Sequence, residues 1–212
     1  MEVHPKVPEQ VRAAMAGAAR AAAAELRHVR RPKDIRRLAR DPQVIARLSE
    51  PLTPALDRVL AFVVKGTAPM PPRLGAAGIT AIAMIGTSAE SVLEICAVLG
   101  IEVPPAAAAV GGSALAVGVA SEVLQFYLLA STIWTDLRAA GCAEPELLRQ
   151  ALIDTYLADH RSLAASVLKR ALPGLVPVLG VPFAGRAAWK DIHRARASTA
   201  RIVKERALRS AP

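Results

Sequence analysis

The longest apolar segment of the chain covers residues 106–137 and reads AAAAVGGSALAVGVASEVLQFYLLASTIWTDL. Glu122 is its only charged residue before the last two positions. The segment is longer than the roughly 20 residues that cross a bilayer as a helix. Phe126, Tyr127 and Trp134 lie toward its end, where aromatic rings fit a membrane interface. Because alanine and leucine are strong helix formers, the segment predicts one long helix that avoids water.

This segment belongs to a longer tract without positive charge. Between Arg73 and Arg138 the chain has 64 residues and no Lys, Arg or His. The tract begins with a second apolar run, residues 75–99, and residues 100–105 (GIEVPP) separate the two runs. Surface helices carry polar residues on their outer face. The tract therefore predicts a hairpin of two helices that avoid water, either in lipid or inside the protein.

Two basic arms flank the apolar tract. Residues 1–50 hold eleven Lys and Arg against six acids, and residues 161–212 hold eleven against two. Apolar residues at helical spacing predict an amphipathic helix over residues 9–30. We therefore expect an all-α fold, a helical bundle around a long apolar hairpin with basic amphipathic helices at both ends. We expect the chain to form one compact domain with two regions, a basic amphipathic helical region of residues 1–68 and an apolar helical region of residues 69–212.

Local signals predict where several helices begin and end. Asp41-Pro42 is a helix start, an N-cap followed by proline at the first helical position, and Thr53-Pro54 repeats that signal. Gly66 and Gly141 follow helical patterns and predict helix ends. Residues 143–146 (AEPE) then open the next helix, since acids in the first turn interact favourably with the helix dipole.

The predicted last helix, residues 183–208, has a basic stripe. Arg186, Lys190 and Arg194 follow one another at four-residue spacing, and Arg201 lies further along. Such a helix after an apolar segment suits an anionic membrane surface, which attracts each well-placed cation by ~1 kcal/mol. The stripe thus predicts membrane-surface contacts, and a solvated outer face is the alternative.

Three acids interrupt the apolar tract. Glu90 and Glu94 lie one turn apart on the same face of a predicted helix, and Glu122 lies on the neighbouring helix. If they converge, they form a polar spot in an apolar interior that suits a cation, a proton or a lipid-like ligand. Alternatively, they pair with arginines of the N-terminal helices or face solvent.

The sequence contains no recognisable catalytic motif. Residues 111–114 (GGSA) lack the second glycine of a nucleophile elbow. Asp154 with Asp159-His160 is a weak metal pattern for which a polar helix end is the better explanation, and Cys96 and Cys142 have no ligand spacing. We therefore predict no catalytic residues, no cofactor and no metal, which leaves open whether the protein is an enzyme.

The second half of the chain resembles the EcsC protein family of bacteria. The resemblance rests on the apolar helix of residues 121–130 (SEVLQFYLLA) continuing to residues 137–141 (LRAAG), and on the proline–glycine segment 176–185 (VPVLGVPFAG) before a basic helix. It covers residues 75–208. Because members are hydrophobic helical proteins, the resemblance implies membrane association, and it implies no reaction and no active-site residues.

These observations predict a bacterial cytoplasmic protein associated with the membrane, without a secretory signal peptide, that acts as an interaction or lipid-contact module. Its expected partner is an anionic membrane surface or lipid. The alternative is a soluble helical bundle that binds or transforms a hydrophobic small molecule in an apolar cavity. Nucleic acid is a third partner that the pI of 10.4 permits, but no helix-turn-helix or zinc-finger pattern accompanies the basic clusters.

Overall fold

The structure, a computed structural model, describes residues 8–26, 41–66, 112–156 and 180–210. These residues form helices and no strand, which confirms the predicted all-α fold class. The helices are α1 (Glu9–Leu26), α2 (Pro42–Lys65), α3 (Gly112–Ala139), α4 (Pro145–Tyr156) and α5 (Gly180–Ser210). The apolar run of residues 75–99, which would form the other helix of the predicted hairpin, lies outside the described residues. The hairpin therefore stays a prediction.

Helix α3 is the predicted long apolar helix, and it packs against all four other helices. The C-terminal part of α3 is buried on several sides. Its buried apolar side chains are Val119, Val123, Leu124, Phe126, Leu128, Leu129, Ala130, Ile133, Trp134 and Leu137. Consecutive helical residues point in different directions, so neighbouring helices cover α3 from several sides. Within the described part of the chain, no helix combines the length and apolar character that crossing a bilayer requires.

The aromatic side chains of α3 lie differently from what the sequence predicted. Phe126 and Trp134 are buried in the core rather than exposed where a membrane interface would meet them. Tyr127 is half-buried, and its ring centroid lies 6.2 Å from that of Phe62 in α2. The interface interpretation is therefore wrong for Phe126 and Trp134, because packing between helices takes up the apolar surface that a bilayer would otherwise cover.

Helix α1 packs against α3 and α2. Its buried face consists mainly of small residues, namely Val11, Ala14, Met15, Ala18 and Ala19. Small side chains let two helix backbones approach closely. The cations Arg12 and Arg20 lie on the exposed side of α1, as the predicted amphipathic pattern requires.

Helix α2 begins as predicted but does not restart where the sequence indicated. The Asp41 side chain accepts a hydrogen bond of 2.9 Å from the backbone N–H of Gln43, which caps the helix. The second start signal, Thr53-Pro54, was wrong, because one helix runs through both residues. Pro54 is exposed, and the Thr53 hydroxyl donates to the Ser49 carbonyl at 2.8 Å.

The continuity of α2 has a physical reason in its buried face. Apolar residues keep helical spacing across the proline, and they are buried at Leu52, Ala55, Leu56, Val59 and Val63. Burial of each leucine and valine in this set stabilises the fold by ~1.5–3 kcal/mol. A proline inside a helix, such as the exposed Pro54, costs ~3 kcal/mol. The packed face therefore outweighs the local break signal.

Gly141 ends α3 as predicted. Its φ of 70° lies in the left-handed region that glycine adopts without steric cost. The Cys142 N–H donates to the Leu137 carbonyl at 2.8 Å, and the Gly141 N–H donates to the Arg138 carbonyl at 3.0 Å. This is the Schellman pattern of a helix end. The chain then turns into α4, which begins at Pro145 and packs against both α3 and α5.

Candidate functional site

Helix α5 has two chemically distinct faces. The inner face packs against α4 and α3, and its buried residues include Ile192, Ala195, Thr199 and Ile202. These four residues are part of the apolar stripe that the periodicity of the sequence indicates. The amphipathic character of α5 is therefore present in the folded protein.

The outer face of α5 is rich in cations. Lys190, Arg194, Arg201 and Lys204 are exposed, and at about 100° per residue they fall within an arc of about 80°. We call these four residues the cationic face. Arg186, the first residue of the predicted stripe, also lies in α5. Of the two acids of this helix, Asp191 is buried and Glu205 is exposed, so the outer face carries a net positive charge.

Arg201 contributes to the cationic face and also holds α5 against α4. Its guanidinium donates to the carboxylate of Asp154 in a short ion pair. The same Asp154 oxygen, Oδ2, accepts a hydrogen bond of 2.9 Å from the Ser198 hydroxyl. Among the described residues no group of acids, histidines or cysteines could hold a metal, and Asp159-His160 lies outside them. In the described structure Asp154 is engaged by Ser198 and Arg201.

We expect the Asp154→Ala substitution to lower the free energy of unfolding by about 1–2 kcal/mol. The loss arises because the hydroxyl of Ser198, a buried residue, loses its acceptor, and an unsatisfied buried donor costs ~1–3 kcal/mol. Urea denaturation followed by circular dichroism measures the change.

The control for this prediction is Asp57→Ala. Asp57 forms an ion pair of 3.4 Å with Arg149, and both side chains are more than half exposed. Exposed ion pairs contribute ~0–1 kcal/mol, so the control should change stability little. Equal losses in the two variants would contradict a special role for the bond between Asp154 and Ser198.

A second tie joins α5 to the start of α4. The Arg206 guanidinium donates to Glu144 Oε1 at 2.5 Å, and both side chains are about half exposed. Together with the Asp154 contacts, this pair connects the C-terminal half of α5 to α4 at two points. These contacts fix α5 against α4 while Lys190, Arg194 and Lys204 remain exposed.

The predicted polar spot is described only in part. Glu122 lies in the buried part of α3 with 7% of its surface exposed, so its carboxyl group is inside the core as the hypothesis requires. Glu90 and Glu94 lie outside the described residues. Their convergence with Glu122 stays a prediction.

Asp136 is a titratable group that the sequence did not single out. It lies in the last turn of α3, where partial burial of its carboxyl group raises the pKa above the ordinary value of 3.8, and the nearby charge of Arg196 offsets part of the rise. The only signal in the sequence is that Asp136 lies near the end of the cation-free tract. Its neighbour Arg196 belongs to α5, which is distant in sequence.

We expect Asp136→Asn to stabilise the protein near pH 7 by less than about 1 kcal/mol, because the residue is partly exposed and solvent screens its charge. The folded state binds this proton more tightly than the unfolded chain does. The carboxyl group therefore favours folding below pH 3.8, and this contribution is lost as pH rises through the raised pKa of the folded state. Denaturation of both proteins across this pH range measures the difference.

Arg196→Gln provides the matched control for Asp136. Removing this cation takes away the charge that lowers the pKa of Asp136, so the loss of stability with rising pH should become larger in this variant. Parallel pH profiles for Asp136→Asn and the unmodified protein would contradict the assigned shift in pKa.

Comparisons with known proteins add no relative to this description. No protein-family model, no curated protein and no solved structure matches the chain. Fold and site together define an all-α protein whose described helices pack around α3 and whose helix α5 presents a cationic outer face.

Proposed function

We propose that this chain is a peripheral membrane-associated protein of EcsC-like type that binds anionic lipid surfaces through the cationic face of α5. The observation that carries the proposal is the alignment of Lys190, Arg194, Arg201 and Lys204 on one exposed arc. Its role is that of an interaction or lipid-contact module at the cytoplasmic side of a bacterial membrane.

The electrostatics of this face favour adsorption to lipid. Among the described residues Lys190, Arg194 and Lys204 form no ion pair, so their charge is available to phosphate and carboxylate headgroups. From Lys190 to Lys204 the helix rises ~21 Å at ~1.5 Å per residue. A helix lying flat on a membrane can therefore place all four cations within a Debye length, ~8 Å, of the surface.

The rest of the described structure is compatible with adsorption rather than insertion. The described apolar side chains of α3, from Val119 onward, belong to the core that the helices share, so this part of α3 is already buried inside the protein. Binding through α5 leaves that core intact, because the inner face of α5 stays packed against α4 and α3. The proposed contact needs no rearrangement of the described helices.

Vesicle sedimentation with the purified full chain tests the proposal. We expect binding to vesicles of phosphatidylserine and phosphatidylcholine at low salt, no binding to pure phosphatidylcholine, and release in ~1 M salt, where the Debye length falls to ~3 Å. Recovery of the chain in the supernatant with anionic vesicles at low salt would overturn it.

A hydrophobic small molecule is the second candidate partner, and the buried Glu122 is the observation that favours it. A carboxyl group inside an apolar core marks a place where a ligand with one polar group can bind. Binding of a fluorescent fatty acid that weakens in Glu122→Leu, but not after loss of the α5 cations, would support this candidate in place of the membrane surface.

A further inference from the structure

Leu208 is the most exposed large apolar side chain in the described part of the chain, at 68%. We infer that Leu208 inserts below the lipid headgroups and anchors the C-terminal end of α5, while the cationic face contacts the headgroups. This inference rests on the proposed function and adds an apolar anchor to the electrostatic contact. It also makes the site more selective for membranes than for other polyanions.

The position of Leu208 in the helix places it in line with the cations. It follows Lys204 by four residues and Arg201 by seven, and residues at these spacings lie on the same side of a helix. At about 100° per residue, Leu208 has the same angular position as Lys190. A flat surface that meets Lys190, Arg201 and Lys204 therefore meets Leu208 as well.

Among the described residues, the other exposed large apolar side chain is that of Ile153, and it has a different setting. It is 39% exposed on α4, and the cation one turn before it, Arg149, is engaged with Asp57 of α2. Ile153 is therefore not part of a cationic surface. Exposed apolar residues are common on proteins and need no function by themselves, and the alignment with the cations is what distinguishes Leu208.

The fold holds Leu208 where a membrane can reach it. Arg201 and Arg206, on either side of Lys204, are tied to Asp154 and Glu144 of α4. The Arg206 contact ties this end of α5 to α4, while the side chains of residues 204–209 are all exposed, so Leu208 is accessible without any unfolding. An amphipathic helix of this kind binds through its buried apolar area together with its charge.

The combination of leucine and cations favours lipid over nucleic acid. Both partners offer phosphates to Lys190, Arg194 and Lys204, but only a bilayer offers an apolar region beneath its phosphates. Burying one leucine side chain changes a partition constant by about tenfold or more. A phosphate backbone would leave Leu208 in water and obtain no such contribution.

Quenching by brominated acyl chains tests insertion directly. We compare Leu208→Trp with Ala207→Trp, whose position is exposed and lies about 100° around the same helical turn. Anionic vesicles that contain bromine-labelled phosphatidylcholine should quench the tryptophan at 208 strongly and the one at 207 weakly, after subtraction of the signal from Trp134 and Trp189. Equal quenching at the two positions would overturn the inference.

Vesicle affinity provides the second measurement. Leu208→Ser should bind phosphatidylserine vesicles about tenfold more weakly with an unchanged dependence on salt, since it loses apolar burial and no charge. Ile153→Ser is the matched control and should bind like the unmodified chain.

The outcomes separate the inference from the proposed function. If the unmodified chain binds anionic vesicles and Leu208→Ser binds equally well, the anchor is disproved and the electrostatic contact stands. If the unmodified chain binds a DNA duplex and not the vesicles, both are overturned, and the cationic face is a site for a phosphate backbone.

Discussion

Phe126→Ala should lower the free energy of unfolding by about 3–5 kcal/mol. Phe126 is fully buried, with 0% of its surface exposed, and it lies on α3, the helix that contacts the other four. Removing its ring therefore takes away apolar burial and leaves a cavity at the centre of the described core. Domains have free energies of unfolding of only about 5–15 kcal/mol, so this one change removes a large share of the total.

Urea denaturation at low temperature measures the change in the free energy of unfolding. Two further variants serve as comparisons. Phe126→Leu keeps most of the apolar volume and should cost less than the alanine variant, which keeps the prediction testable if the alanine variant does not fold. Ile153→Ala changes a residue that is 39% exposed and should have a small effect. A loss below about 1.5 kcal/mol for Phe126→Ala would contradict close packing around α3.

The triple variant Lys190→Gln, Arg194→Gln, Lys204→Gln should bind phosphatidylserine vesicles about 100-fold more weakly than the unmodified chain at low salt. Each cation near an anionic surface contributes ~1 kcal/mol, and three of them sum to about two powers of ten in the partition constant. Arg201 is left unchanged, because it also holds α5 against Asp154. The variant should keep its stability and lose most of the salt dependence of binding.

The matched control is the triple variant Arg12→Gln, Arg20→Gln, Arg58→Gln. These cations are exposed on α1 and α2, and their loss changes the net charge by the same amount. Vesicle binding of this control should fall far less than that of the α5 variant. Equal losses would show that net charge alone draws the chain to the membrane, and the cationic face would not be a specific contact.

Several features of the fold were predictable because they depend on near neighbours in the sequence. The cap at Asp41 and the left-handed Gly141 involve residues within five positions of each other. The apolar stripe of α5 is also local, because its residues Ile192, Ala195, Thr199 and Ile202 follow one another at spacings of three or four. Local spacing and backbone conformation are therefore enough to locate these elements.

Other features could not be read from local signals. The start predicted at Thr53-Pro54 was wrong because the buried face of α2 continues across the proline. The pairing of Asp154 with Ser198 joins residues 44 positions apart, and the pairing with Arg201 joins residues 47 apart. The exposure of Leu208 likewise depends on where the packing of α5 ends, since the side chains of residues 204–209 are all exposed.

The amino-acid sequence alone determined that the fold class is all-α, that the apolar segment of residues 106–137 contains a long helix, and that α5 has a basic side and an apolar side. These properties follow from helix propensity and from a period of ~3.6 residues, which are local. Only the tertiary structure decided that other helices cover the described part of α3, that Arg201 is shared between an ion pair and the cationic face, and that Leu208 is left exposed. Which helices meet depends on contacts between residues far apart in the chain, and no local spacing specifies them.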